Sequence, residues 1–232
     1  MQHSSGPVES ESLTPQHSPA AEAYFDRAEA FAARREYQQA AECYEQALAL
    51  RGNWSKALVQ LGIVQQQQGQ LTTAAASYQQ AIDNPDTATS DRLQAYNNLG
   101  CILALRKQFD EALVAYQAAG KIDPNFAPLY NNLGQMWWLK GDVDRAIAAY
   151  RRTLELSPGK VLTHYNLGKA LQRQHQNEAA LACFEEVLRL DPRHTLALSR
   201  CSILALDAGK WDEAIGYLRQ ELDRYPHWIE AF

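Results

Sequence analysis

A period of 34 residues constrains the fold of this chain more than any other feature of its sequence. Three similar strings, YNNLG, YNNLG and HYNLG, begin at Tyr96, Tyr130 and His164, each 34 residues after the one before. A second apolar segment follows each string, and an Asp-Pro or Ser-Pro pair follows that segment. Because proline cannot continue a helix, the pair predicts a helix end. A chain with this pattern folds as a stack of similar units, which bury their apolar faces against one another.

The same frame extends in both directions and contains six copies of the unit. Positions 4, 7, 8 and 11 of the unit have the spacing of one helical face, which predicts a first helix. Position 20 is alanine in every copy, and position 8 is glycine or alanine in five, so the two helices can approach closely. Gly69, Gly141 and Gly209 at position 15 fit a turn that requires positive φ. The predicted repeats are residues 21–54, 55–88, 93–126, 127–160, 161–194 and 195–228.

This pattern resembles the tetratricopeptide repeat, a 34-residue unit that reads W-x2-L-G-x2-Y, then A-x3-F, then P. The resemblance covers residues 19–232. It implies an all-α fold, a right-handed α-α superhelix of six helix-turn-helix repeats with the start of a seventh. The Ser/Pro-rich residues 1–18 are expected to form a disordered leader. The resemblance also implies a scaffold that binds protein rather than an enzyme.

Two irregularities interrupt the frame. The second and third repeats are separated by four extra residues, which predict a loop insertion at about residues 83–92 or one additional helical turn. The seventh unit stops after one turn, at residues 227–232, without the polar capping helix that ends most arrays. We therefore expect Ile215, Leu218 and Leu222 to be exposed and to support weak self-association through the last repeat.

Asparagine recurs at position 6, which lies opposite the apolar stripe of the first helix. Because asparagine is a poor helix former, Asn98, Asn132 and Asn166 require an explanation. One interpretation is that the Asn-Leu-Gly string is common in such repeats and does not indicate a binding partner. The other is a ladder of amides that binds the main chain of an extended peptide. The strings are similar to those of the O-linked N-acetylglucosamine transferase, and this similarity implies that such a ladder holds substrate polypeptide.

Charge and aromatic residues are unevenly distributed around the ladder. Glu22, Asp26 and Glu29 mark the first repeat, whereas Lys169, Arg173 and Arg200 mark the last two. These charges are either ordinary solvated residues or a gradient that orients a peptide and attracts its acidic side chains. Trp138 and Tyr165 are candidate apolar anchors. The candidate groove residues are Asn97, Asn98, Asn131, Asn132, Gln135, Trp138, Tyr165, Asn166, Lys169, Arg173 and Arg200.

Composition and motifs argue against other functions. A net charge of −5 disfavours binding to nucleic acid or an anionic membrane. No secretory signal or membrane span is predicted, so we expect a cytoplasmic location. No catalytic motif, cofactor loop or metal signature is found, and Cys43, Cys101, Cys183 and Cys201 read as reduced structural thiols. Two hypotheses remain: a protein-protein interaction scaffold, or the regulatory or substrate-recruiting domain of a larger glycosyltransferase or methyltransferase.

Overall fold

The computed structural model describes residues 18–222, and all regular structure in this range is helical. The all-α fold predicted from the sequence is confirmed. Ser18, assigned above to the leader, instead caps the first helix, because its Oγ accepts a hydrogen bond from the Ala21 amide at 3.3 Å. The rest of the predicted leader and the predicted seventh unit lie outside the described residues. The helices are α1 Pro19–Ala33, α2 Tyr37–Arg51, α3 Ser55–Gln67, α4 Leu71–Asp83, α5 Thr89–Leu105, α6 Phe109–Ile122, α7 Ala127–Lys140, α8 Val143–Leu156, α9 Val161–Arg173, α10 Asn177–Leu190, α11 Thr195–Asp207 and α12 Trp211–Leu222.

The chain divides into two compact units. Unit 1 is Met1–Leu99 and contains α1 to α4 with the first part of α5. Unit 2 is Gly100–Phe232 and contains the rest of α5 with α6 to α12. In unit 1, α1 packs on α2 and α3 on α4; in unit 2, α7 packs on α8, α9 on α10 and α11 on α12. The second helix of a repeat also packs on the first helix of the next, as α8 does on α9. Each unit is therefore a layered stack of helix pairs.

Small residues allow the close contact between the two helices of a repeat. An added Cβ on Gly134 would lie 2.5 Å from the buried ring of Tyr150, and one on Gly168 would lie 2.7 Å from Phe184. Such distances are shorter than van der Waals contact, so only glycine fits without a shift of the ring. The alanines at position 20 complete the contact and are fully buried. They are Ala40, Ala74, Ala112, Ala146, Ala180 and Ala214.

The turn between the two helices has the same backbone conformation in all six repeats between residues 18 and 222. Gly69, Gly141 and Gly209 have φ values of 76°, 87° and 71°, as their position in the sequence predicted. The other three repeats adopt positive φ with side chains in place: Arg35 and Lys107 at 62°, His175 at 59°. A left-handed conformation costs a residue with a Cβ about 1–2 kcal/mol. Packing of the two helices therefore outweighs this local preference.

The insertion between the second and third repeats is shorter than the loop predicted at residues 83–92. Helix α4 ends at Asp83 and α5 already begins at Thr89, so only residues 84–88 are non-helical. Of the two alternatives given for the four extra residues, a loop or an additional helical turn, the structure has the turn: residues 89–92 extend the start of α5. This helix has 17 residues, whereas the other first helices have 13 to 15.

A buried polar network fixes the short connection. The Asn84 amide donates to the Ser55 hydroxyl at 2.8 Å and to the Asn53 carbonyl at 2.9 Å. The Thr87 hydroxyl lies 2.7 Å from the Ser55 hydroxyl and donates to the Ala81 carbonyl at 2.6 Å. These bonds satisfy carbonyl groups at the end of α4, which permits the chain to turn and begin α5 within five residues. The connection is thus an ordered part of unit 1.

Candidate polypeptide-binding face

The first helices of the last three repeats, α7, α9 and α11, present one surface of unit 2 at positions 2, 6, 9 and 13. We call this surface the first-helix face. Side chains link the three helices across it: Trp138 of α7 contacts two cations of α9, and Arg200 of α11 donates to the Gln172 amide oxygen of α9 at 3.3 Å. The residues of the face are Pro128, Asn132, Gln135, Leu139, Leu162, Asn166, Lys169, Arg173, Leu196, Arg200, Ile203 and Asp207.

A basic–aromatic cluster lies in the middle of the face and consists of Trp138, Tyr165, Lys169 and Arg173. The Lys169 ammonium is 5.3 Å from the ring centre of Trp138 and 5.7 Å from that of Tyr165. The Arg173 guanidinium is 5.2 Å from the Trp138 ring. The two rings are half-buried against the core of unit 2. Cation–π contact holds the two cations above rings whose own positions are set by packing. The sequence analysis named all four as candidate groove residues, and the structure brings them together.

The cations of the face have no acidic partners. Within residues 18–222, no carboxylate forms an ion pair with Lys169, Arg173 or Arg200. Several other cations of unit 2 are paired, for example Lys210 with Glu213 at 3.3 Å. With three cations against one carboxylate, Asp207, the face has a net positive charge, although the net charge of the chain is negative. An acidic ligand would neutralise them.

The asparagines divide into two groups. Asn132 and Asn166, at position 6, are half-buried on the face, and Asn98 is half-buried at the end of unit 1. The amides at position 5 are engaged inside the protein. Asn97 is buried and donates to the Asn98 side-chain oxygen at 3.2 Å, and Asn131 accepts a hydrogen bond from the Thr163 hydroxyl at 3.0 Å. In unit 2, position 6 therefore lies on the first-helix face, with half-buried Gln135 beside it, whereas Asn131 at position 5 is bonded to the next repeat.

Sequence reasoning missed the apolar residues of the face. Leu139, Leu162, Leu196 and Ile203 are 54%, 58%, 60% and 44% exposed. They occupy positions 13, 2, 2 and 9, where a solvated helix normally carries polar residues. Their occurrence at groove positions in the last three repeats was the available signal. Exposed apolar residues near unpaired cations are typical of a surface that binds a partner.

The acidic residues predicted in the first repeat lie in unit 1. Glu22, Asp26 and Glu29 are exposed on α1, and Glu29 is 3.9 Å from Lys56. The pair is weak because both side chains are about half exposed. The predicted groove charges therefore differ in sign between the two units, each considered by itself.

Other polar residues have structural partners. His164 Nε2 lies 2.8 Å from the Pro158 carbonyl, and the Tyr130 hydroxyl donates to the Pro124 carbonyl at the same distance, so position 4 holds the preceding turn. All four cysteines are free, and burial raises the pKa of Cys101, Cys183 and Cys201. No cluster of His, Cys, Asp or Glu suited to a metal occurs in the described range. Likewise, none of the helices between residues 18 and 222 is sufficiently long and apolar to span a bilayer.

Comparison with known families agrees with this architecture. Models of the tetratricopeptide repeat match residues 21–54, 56–87, 125–193 and 165–227, and a model described as TPR repeat matches residues 100–141. The chain is a tetratricopeptide repeat protein. None of the curated proteins matches its sequence. The tetratricopeptide (TPR) assignment accounts for the helix pairs, for the glycine–aromatic contacts and for the alanine at position 20.

Solved TPR structures share the fold at low sequence identity. Pseudomonas aeruginosa pilF superposes with a TM-score of 0.74 at 20% identity, over 89% of this chain and 92% of that one. MamA from Desulfovibrio magneticus RS-1 gives a TM-score of 0.63 at 21% identity, over 76% of this chain and 98% of the MamA chain. YrrB, described as a TPR protein with an unusual peptide-binding site, gives a TM-score of 0.56 at 23% identity, over 77% of this chain and 90% of the YrrB chain. At these identities the similarity concerns the fold alone.

Proposed function

We propose that this TPR protein is an interaction scaffold that holds an extended segment of a partner protein on the first-helix face of unit 2. The basic–aromatic cluster is the observation that carries the proposal. Its two cations are positioned over Trp138 and Tyr165, form no ion pair within residues 18–222, and share the face with exposed leucines. Surfaces with rigid aromatic anchors and desolvated charges provide much of the affinity in protein interfaces.

The amides at position 6 suit the main chain of such a segment. A side-chain amide offers both a donor and an acceptor, so Asn132 and Asn166 can bind peptide groups whatever the side chains of the ligand. The resemblance of the repeats to the asparagine ladder of the O-linked N-acetylglucosamine transferase supports this role. The peptide-binding site described for YrrB supports it at the level of the fold. Asn98, which the sequence also assigned to the ladder, belongs to unit 1 and is not a residue of this face.

The cations select the partner by charge. Lys169, Arg173 and Arg200 lie on two neighbouring first helices, so a segment with several acidic residues can meet all three. Charge complementarity of this kind increases the association rate and rejects basic segments. Because exposed charges are screened by salt, the affinity for an acidic segment falls as ionic strength rises.

A peptide array tests the proposal. Fluorescently labelled protein is incubated with short peptides that cover acidic, neutral and basic compositions, and binders are measured again in solution by anisotropy. We expect acidic peptides that contain leucine to bind best, and Lys169→Glu to weaken them by about tenfold or more, since it replaces an attraction by a repulsion.

Lys121→Glu is the matched control. It makes the same charge change on the exposed end of α6, a second helix of unit 2, and should alter binding little. Equal losses in both variants would show that net charge, and not the first-helix face, attracts the peptides. Absence of binding to every peptide would reject the proposal.

A further inference from the structure

A cavity of about 260 Å³ opens at the junction between the fourth and fifth repeats of unit 2. The ends of α7, α8 and α9 enclose it. Ala127, Pro128, Val161 and Leu162 provide apolar walls, and Leu162 also belongs to the first-helix face. The cavity therefore lies at the edge of the face on which the partner segment is proposed to bind. Its volume exceeds that of a leucine or phenylalanine side chain.

The next junction of unit 2 shows what this cavity lacks. Asn131 lines the cavity from position 5 of its repeat, and the corresponding residue of the next repeat is Tyr165. The Tyr165 ring packs 5.5 Å from Phe184 and 5.1 Å from His194, measured between ring centres. An aromatic ring thus fills the junction between α9 and α11, whereas the smaller Asn131 leaves the junction between α7 and α9 open.

A second difference keeps the cavity open. Asn131 is bonded to the Thr163 hydroxyl, which is buried, so its side chain is held against the next repeat. The residue that corresponds to Thr163 in the following repeat is Ala197, which makes no such bond and leaves room for Tyr165. The Thr163 hydroxyl donates to the Asn131 amide oxygen, so an apolar group can enter the cavity without leaving that hydroxyl unpaired.

The rim of the cavity carries a positive charge. Lys160, the residue before α9, is exposed and forms no ion pair within the described range, and Lys169 and Arg173 lie further along the same helix. A mainly apolar cavity with the unpaired Lys160 at its rim is complementary to an apolar side chain that has an acidic neighbour. A basic or purely polar segment would bury a charge or an unbonded polar group there.

We propose that this cavity is a socket for one aliphatic side chain of leucine size in the partner segment, with an adjacent acidic residue of that segment bound by Lys160. The inference rests on the proposed function, because it assumes that the segment lies on the first-helix face. It adds a specificity determinant: the amides and cations hold any acidic segment, and the socket selects those that place leucine, isoleucine or methionine at one position.

The test uses the arrangement that the protein itself has at the next junction. Asn131→Tyr combined with Thr163→Ala reproduces the pair Tyr165 and Ala197 and should fill the socket. The probes are fluorescein-labelled peptides of serine and glutamate with a single variable residue, either leucine or alanine, between two glutamates. Their affinities for the wild-type protein and the double variant are measured by anisotropy.

We expect the wild-type protein to bind the leucine peptide on the order of tenfold more tightly than the alanine peptide, since a buried leucine side chain contributes about this factor. The double variant should bind both peptides with the affinity of the alanine peptide. If the double variant keeps the same preference for the leucine peptide, the proposal that the cavity binds the leucine side chain is contradicted. Peptides that bind without any leucine preference, yet lose affinity in Lys169→Glu, overturn the socket and leave the proposed function intact. If neither peptide binds and the peptide array shows no binder, both the socket and the proposed function are contradicted.

Two further measurements keep the test independent of the double variant. Leu162→Gln removes an apolar wall at a residue that is 58% exposed, so the fold is not at risk, and it should reduce the leucine preference. In methyl-labelled wild-type protein, the leucine peptide should shift the resonances of Val161, whereas the alanine peptide should not. Val161 resonances that respond equally to the two peptides would contradict the location of the socket.

Discussion

Replacement of Gly134 by alanine tests the packing that holds each helix pair together. The new methyl group would lie 2.5 Å, 2.6 Å and 3.0 Å from three atoms of the Tyr150 ring. Tyr150 is only 2% exposed, so its ring can move only by disturbing the core of unit 2. Overpacking of this kind costs about 1–3 kcal/mol, and the higher helix propensity of alanine offsets up to about 1 kcal/mol. We expect a net loss of about 1–2 kcal/mol.

Gly216 provides the matched control. It also lies inside a helix, α12, but a Cβ added there would meet no atom within 4 Å. Gly216→Ala should therefore stabilise the protein by roughly 0.5–1 kcal/mol through helix propensity alone. For a protein of this size the two variants should differ in melting temperature by on the order of 5 °C, with Gly134→Ala the lower.

Circular dichroism at 222 nm during heating measures both variants. Tyrosine fluorescence of Gly134→Ala reports in parallel on the environment of the aromatic rings. If both glycine replacements raised the melting temperature equally, the contact between position 8 and the ring would not restrict the packing, and the explanation of the small residues in every repeat would be wrong.

Three further outcomes are expected. Ala146→Leu should lower stability by about 1–3 kcal/mol because Ala146 is fully buried at a helix crossing, whereas Asn166→Ala on the first-helix face should not lower the melting temperature. Burial raises the pKa of the Cys201 thiol to about 12, whereas an unfolded thiol has a pKa of about 8.5. The protonated thiol therefore contributes fully to stability below pH 8.5, and this contribution is lost as pH rises towards 12. Between pH 8 and 11, the melting temperature of Cys201→Ala should fall less steeply with pH than that of the wild-type protein. Sedimentation over a wide concentration range should detect weak dimerisation through the exposed apolar side of α12, and Leu218→Glu should abolish it, whereas a constant monomer mass would contradict this prediction.

Local patterns in the sequence were sufficient to predict the helix pairs and their contacts. The apolar spacing of 3.6 residues, the glycines of the turns and the Asp-Pro or Ser-Pro stops act within a few residues of the chain, and each recurs every 34 residues. Because every unit packs mainly on its neighbours in the chain, local structure and tertiary packing agree. The buried alanines at position 20 were predicted correctly for this reason.

The candidate site was only partly predictable. Helical periodicity placed Asn132, Asn166, Lys169 and Arg173 on one side of their helices, and in the structure Lys169 and Arg173 lie over the same Trp138 ring. Asn131 is adjacent to Asn132 in the chain, yet its amide is bonded across the repeat junction to a threonine 32 residues away. Periodicity gives the direction of a side chain from its own helix, and it does not give the identity of the group that it meets on the next one.

Tertiary structure decided which alternative holds for the insertion before α5, and it alone decided where the cavity lies. The extra turn of α5 depends on a polar network that joins the Asn84 turn to Ser55 at the start of α3, and no local rule predicts those bonds. The cavity at the junction of the fourth and fifth repeats depends on the absence of the ring that Tyr165 supplies at the following junction. A void is a property of the several side chains that surround it and fail to meet. Its position therefore follows from the packing of three helices and not from the pattern of any one of them.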